Sequence, residues 1–271
     1  MSEEKTLFLE TTIQIERVAA RRARQTSLRR ELASYRLVTS TYVLGEYVRT
    51  LVKDAVRLHR LVAAHMHLDD VMTAIGQHPN KREASRMLLI GGAVMRSSDD
   101  WEKVQDTDIR ANLLDRLSRF TEFVLLNRFL GGIDELLDIT ACGLARERPI
   151  VWQAGQGIRG EELYRLRSQC VRRVRECDLA ERMTEWRPEL KALAEGLSGR
   201  DDPALARMGK LAHQVLDDPT LARGRNCTWY LADLIIALEL PPEMPLYTTN
   251  RRHFEPILAI LGKSLHNPST A

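Results

Sequence analysis

Short apolar runs that end in a polar residue and open at once into a helix occur at both ends of this chain, with no convincing strand sequence between them. Residues 5–10, KTLFLE, run into TTIQIERVAARRARQ, where Ile13, Val18 and Ala19 keep helical spacing. Residues 37–40 lead into TYVLGEYVRTLVKDAVRLHRLVAAHM, where Val43, Tyr47, Leu51, Val52 and Val56 recur at the 3.6-residue period. Near the end NCTWYLADLIIALEL reads as an apolar helix, PPEMP breaks it, and LYTTN reads as a strand entering RRHFEPILAIL. Parallel strands need crossover connections, usually helices. The pattern therefore predicts an α/β fold: a small, mostly parallel central sheet flanked by helices, built from residues 1–67 and 220–265.

Between these parts, residues 68–219 keep the helical period in ASRMLLIGGAVM, IRANLLDRLSRFTEFVLLNRFLGGIDELLDIT and ERMTEWRPELKALAEGL. A long, all-helical insertion is expected, with ERPIVWQAGQGIRG as a Pro- and Gly-rich loop joining two lobes. The polar residues 266–271 are expected to form a flexible tail.

Composition sets outer limits. At 271 residues and 44% hydrophobic content, the chain can bury a core without disulfide staples. No stretch approaches the roughly 20 apolar residues of a membrane-spanning helix, and MSEEKTLFLE is acidic where a signal peptide is basic. The expected location is the cytoplasm, with no membrane partner. Four cysteines are too few for a secreted disulfide framework. Cys170 and Cys177, seven apart on one helix face, could hold a structural zinc with Cys142, and Cys227 completes the set considered. The spacing is not that of a zinc finger, and free thiols are the commoner outcome.

Charge is distributed unevenly. Residues 1–60 carry 12 Lys and Arg against 7 Asp and Glu, whereas the whole chain is only +3, so the basic excess sits at the front. Arg17, Arg21, Arg22, Arg24, Arg29 and Arg30 are dense enough for phosphate contacts, although a solvated helix face is the commoner reading of such a run.

In open α/β sheets functional groups collect at the carboxyl ends of the strands. Glu10, Glu46, Asp233 and Asn250 all fall at or near such places, and Asp233 stands in the apolar context LADLIIAL, where a buried acid needs a partner or a metal. Three carboxylates converging on one pocket repel one another, and a divalent cation held by oxygen ligands relieves the repulsion. Such an ion polarises a phosphodiester and acidifies a bound water. The competing reading makes each acid a solvated helix-end residue.

FLETTIQIERV, STYVLGEYVRTL, LADLIIALEL and LYTTNRRHFEPI, in this order, resemble the four motifs of the PIN-domain nucleases. The match covers about 50 residues at the two ends and none of the middle. The resemblance implies a PIN-like fold in which Glu10, Glu46 and Asp233 bind Mg²⁺ or Mn²⁺. It further implies that Asn250 orients a ligand or water and that Thr248 and Thr249 line the site; with these threonines, Arg17, Arg21 and Arg251 are the residues expected to contact nucleic acid. Glu10 stands where the family usually has Asp, and Asn250 where many members carry a fourth acid. The expected activity is metal-dependent phosphodiester hydrolysis by a single-strand-acting endoribonuclease, with RNA favoured over DNA. Members often dimerise and are often controlled by an inhibitory or targeting protein. The rival expectation is a PIN-like module, weak or inactive in catalysis, that binds RNA or a protein.

Other signals are weaker. Gly155, Gly157 and Gly160 spell GxGxxG, but no second strand follows to complete a dinucleotide-binding unit, so a loop is expected. His59, His65 and His67 lack a metalloprotease spacing, and neither a GxSxG elbow nor a Walker loop is present. Trp152 and Trp229 could stack on bases if they face a groove.

Overall fold

The computed structural model describes residues 5–96, 106–142, 177–224, 226–227 and 230–268. Strand β1, Thr6–Leu9, pairs in parallel with β2, Arg36–Ser40, on one side and with β4, Leu246–Tyr247, on the other; β3, Glu135–Leu137, extends the sheet beyond β2. The order is β3-β2-β1-β4, and every ladder is parallel. Burial explains the composition of the central strand: Leu7, Phe8 and Leu9 have no exposed surface, as a parallel strand covered on both faces requires. Phe8 belongs to one hydrophobic cluster, while Leu7 and Leu9 face a second with Leu28, Leu37 and Tyr247.

The strands feed helices α1, Thr11–Ala19, and α2, Arg22–Leu32, then α3, Thr41–Tyr47. The expected single helix after β2 is divided: α3 passes through a π turn, Val48–Val52, into α4, Lys53–Ala64. Further helices are α5 Leu68–Gly76, α6 Lys81–Arg96, α7 Asp106–Arg119, and α8 Leu125–Leu130 after a second π turn. Helices α9 Leu179–Glu185, α10 Arg187–Leu197 and α11 Pro203–Asp217 follow, then α12 Ala232–Glu239 and α13 Arg251–Leu261.

The all-helical reading of 68–219 is corrected by β3, which lies inside that span. Its sequence, ELL, is three residues long, has no β-branched side chain and pairs on one side only, so neither propensity nor alternation could mark it. Backbone pairing with β2 holds it there, beside Arg36 bonded to Glu135 at 2.8 Å. Nor do the helices of this span stand apart: α4 packs on α6 and α7, and one apolar cluster runs from Val38 through Met87, Leu117 and Leu193 to Phe254. The beginning of the polar tail is also tied down. Leu246 bridges to Leu265, His266 packs edge-on against Tyr35 and Tyr247, and Asn267 accepts from Arg251 at 3.0 Å. Residues 269–271 lie outside the described residues.

Candidate active site

Glu10 follows the last residue of β1 and caps α1. Its backbone is extended, its carboxylate accepts from the Thr12 N–H at 2.9 Å and from the Thr12 hydroxyl, and it thereby satisfies a first-turn donor. Parallel pairing of β1 with β4 sets Thr248 alongside, and its hydroxyl donates to the same Glu10 oxygen at 2.9 Å. Glu46 reaches the site from α3, where it accepts from the Thr11 hydroxyl and lies 3.7 Å from Arg49. Asp233 occupies the first turn of α12. The Asn250 amide donates to it at 3.2 Å and the His253 ring approaches at 2.7 Å.

Glu10, Glu46, Asp233 and Asn250 line one cavity of about 600 Å³. Folding thus brings together four side chains from both ends of the chain. Burial pushes the Glu10 carboxyl up to about 8, helped by the neighbouring charges of Glu46 and Asp233 and opposed by the Thr12 hydrogen bonds. Burial also raises Glu46, against the counter-effect of Arg49 and Thr11. His253 is raised chiefly by its bond to Asp233.

Basic side chains line the same cavity beside the acids. Arg49 comes from the π turn after α3, Lys53 from α4, Arg82 and Arg86 from α6, and Arg207 from α11, where it lies 5.6 Å over the Tyr230 ring. The π turn after α3 keeps Glu46, Arg49, Thr50 and Lys53 together on the cavity wall. Two of the cations are held by acids: Arg86 bonds the fully buried Asp54 at 2.5 Å, and Lys53 bonds Glu83, which also lines the cavity, at 2.7 Å.

The other sequence-derived candidates lie elsewhere. Arg17 turns away from the cavity into a separate cleft, Arg21 is exposed just before α2, and Arg251 pairs with Glu255 at 2.8 Å. Thr249 is exposed, and its N–H bonds the Thr12 hydroxyl at 3.1 Å. Sequence reasoning missed His253 and the entire basic wall except for the general excess near the front. His253, three residues beyond Asn250 and so on its helix face, had a usable signal; the wall arginines had none, since they lie on three helices remote in sequence.

Carboxylates, a carboxamide and hydroxyls are hard oxygen donors of the kind that hold Mg²⁺ or Mn²⁺. Glu10 is buried, raised by two neighbouring acids, and hydrogen-bonded to threonines alone, an environment that a cation would relieve. The donor chemistry fits the ion. As placed, no three His, Cys, Asp or Glu side chains among the described residues are grouped closely enough to hold a metal, so an ion would compete with Thr11, Thr12 and His253 for these carboxylates. Of the cysteines, Cys227 is buried and bonds the Gly224 carbonyl at 3.1 Å, whereas Cys170, like Gly155, Gly157, Gly160, Trp152 and Trp229, lies outside the described residues.

No family model, curated protein or solved structure matches the chain. The class that fold and geometry define is an α/β protein with a four-stranded parallel sheet and an acid-lined cavity at the carboxyl ends of β1 and β2.

Proposed function

We propose that this protein is a metal-dependent nuclease of PIN-like type that hydrolyses phosphodiester bonds, with single-stranded RNA as its substrate. The observation that carries the reading is the cavity, which Glu10, Glu46 and Asp233 line together with Arg49, Lys53, Arg82, Arg86 and Arg207. Acids alone would repel a polyanion, and cations alone would bind it without chemistry. Acids and cations lining one cavity suit a phosphate held by the cations beside a hard divalent ion held by the acids. Glu10, Glu46 and Asp233 would hold the Mg²⁺ or Mn²⁺, which when bound supplies Lewis-acid polarisation of the phosphate and an acidified water. The arginines and Lys53 hold the substrate backbone, Asn250 and His253 orient Asp233, and Tyr230 offers an aromatic face to an unstacked base.

A second reading, a scaffold that binds RNA or a protein without cutting, is favoured by the hydrogen bonds that already occupy all three acids. Labelled single-stranded RNA and DNA incubated with and without Mn²⁺ separate the two. Cleavage by the wild type, its loss in Asp233→Asn, and calorimetric Mn²⁺ binding that disappears in the same variant support the nuclease. RNA binding with no Mn²⁺ uptake supports the scaffold.

A further inference from the structure

A second cleft, of about 460 Å³, opens where the end of α1 and the length of α2 meet the end of α8, and it shares no residue with the acid cavity. Arg17, Arg29 and Arg128 line it from three different helices, and no carboxylate lines it. Among the described residues none of the three is ion-paired to Asp or Glu. Arg17 and Arg128 instead bond neutral oxygens. Arg17 donates to Gln14 Oε1 and to the Gly131 carbonyl, both at 2.6 Å, and Arg128 donates to the Val18 carbonyl at 3.4 Å. These contacts fix the position of Arg17 without neutralising it. Burial lowers its pKa, opposed by Tyr47 and assisted to a smaller degree by the Arg29 charge.

Three guanidinium groups lining one concave site favour an anion there, and planar forked donors match phosphate oxygens in particular. The amides of Gln25 and Asn127 add neutral polar groups at the rim, and the buried Leu32 and Leu37 provide an apolar floor. The volume falls within the range of small-molecule sites, and an apolar floor beside a cationic rim suits a ring joined to a phosphate. Gly132, at φ +74°, completes the wall, and a Cβ there would meet Arg17 Nη2 at 3.3 Å.

We propose that this cleft is a binding site for the phosphate group of a nucleotide-sized ligand, with Arg17, Arg29 and Arg128 on the phosphate and Leu32 and Leu37 beneath the ring. It depends on none of the chemistry of the acid cavity, so either assignment can fail alone.

Calorimetric titration with ADP, AMP, inorganic phosphate and a single-stranded oligonucleotide, in EDTA, tests it on the full chain. Arg29 and Arg128 are exposed; Arg128→Gln also gives up the bond to Val18 and the approach to the Phe120 ring, so circular dichroism checks the fold of both variants, Arg29→Gln and Arg128→Gln. Arg82→Gln, on the exposed basic wall of the other cavity, is the control. The expected result is saturable ADP binding in the wild type and in Arg82→Gln, weakened at least about tenfold in Arg29→Gln and Arg128→Gln. AMP should bind more weakly than ADP, and phosphate more weakly still. No ADP binding, binding lost in Arg82→Gln but kept in the other two variants, or binding of the oligonucleotide alone would each overturn the proposal.

Discussion

Glu239 allows the sharpest test of how this fold holds its parts together. The side chain is 2% exposed at the end of α12, accepts from Ser40 Oγ at 2.5 Å and from Thr140 Oγ1 at 2.8 Å, and so ties the helix of Asp233 to the N-cap of the helix of Glu46. Burial pushes its carboxyl up to about 7 against the opposing hydrogen bonds. A raised folded-state value means that the charged form is disfavoured by folding. Its contribution is complete below the unfolded value near 4.5 and is lost as pH rises through about 7. Between those values the loss approaches about 3 kcal/mol at pH 8 and is under about 1 kcal/mol at pH 5. Glu239→Gln removes the charge and keeps an acceptor, while the Ser40 and Thr140 hydroxyls can rotate to accept from the new amide. After roughly 1 kcal/mol is deducted for imperfect hydrogen bonds, the variant should gain about 2 kcal/mol at pH 8 and nothing at pH 5. For a chain of this size that is about 4 to 8 °C in Tm. Thermal unfolding of both proteins across that pH range measures it. An increment that does not change with pH, or a variant less stable than wild type at pH 8, refutes the reasoning.

Three other substitutions probe separate features. Arg86→Met leaves Asp54 buried without its closest cation and should cost about 3 kcal/mol in urea unfolding. Gly209→Ala adds a Cβ 2.9 Å from Ser198 N and 3.0 Å from the Leu197 carbonyl carbon, so α10 must shift. Despite the better helix propensity of alanine, a net loss of about 1 to 2 kcal/mol is expected from denaturant curves. The imidazole of His253 should titrate by NMR above its ordinary 6.5, so stability from its bond to Asp233 is present below that value and lost as pH rises through the shifted one. Asp233→Asn should return the titration toward 6.5.

Local chemistry determined much of this protein. The apolar run before Glu10 made β1, the hydroxyl of Ser40 capped α3, and Asp233 stood out as an acid in an apolar helix; periodicity and capping are properties of neighbours in sequence, and they survive without tertiary context. Only folding decided the rest. Strand β3 exists because β2 offers it an edge, Glu239 could not be told from a solvated helix-end acid, and Arg207 joins the other basic residues of the cavity from a helix more than 100 residues further along the chain. The arginine run also divides between surfaces, with Arg17 and Arg29 meeting Arg128 in a cleft that has no linear signature. Side-chain type and spacing fix which groups are available and on which helix face, but packing fixes which charges share a cavity and how deeply they are buried, and Coulomb energy depends on both that distance and that burial.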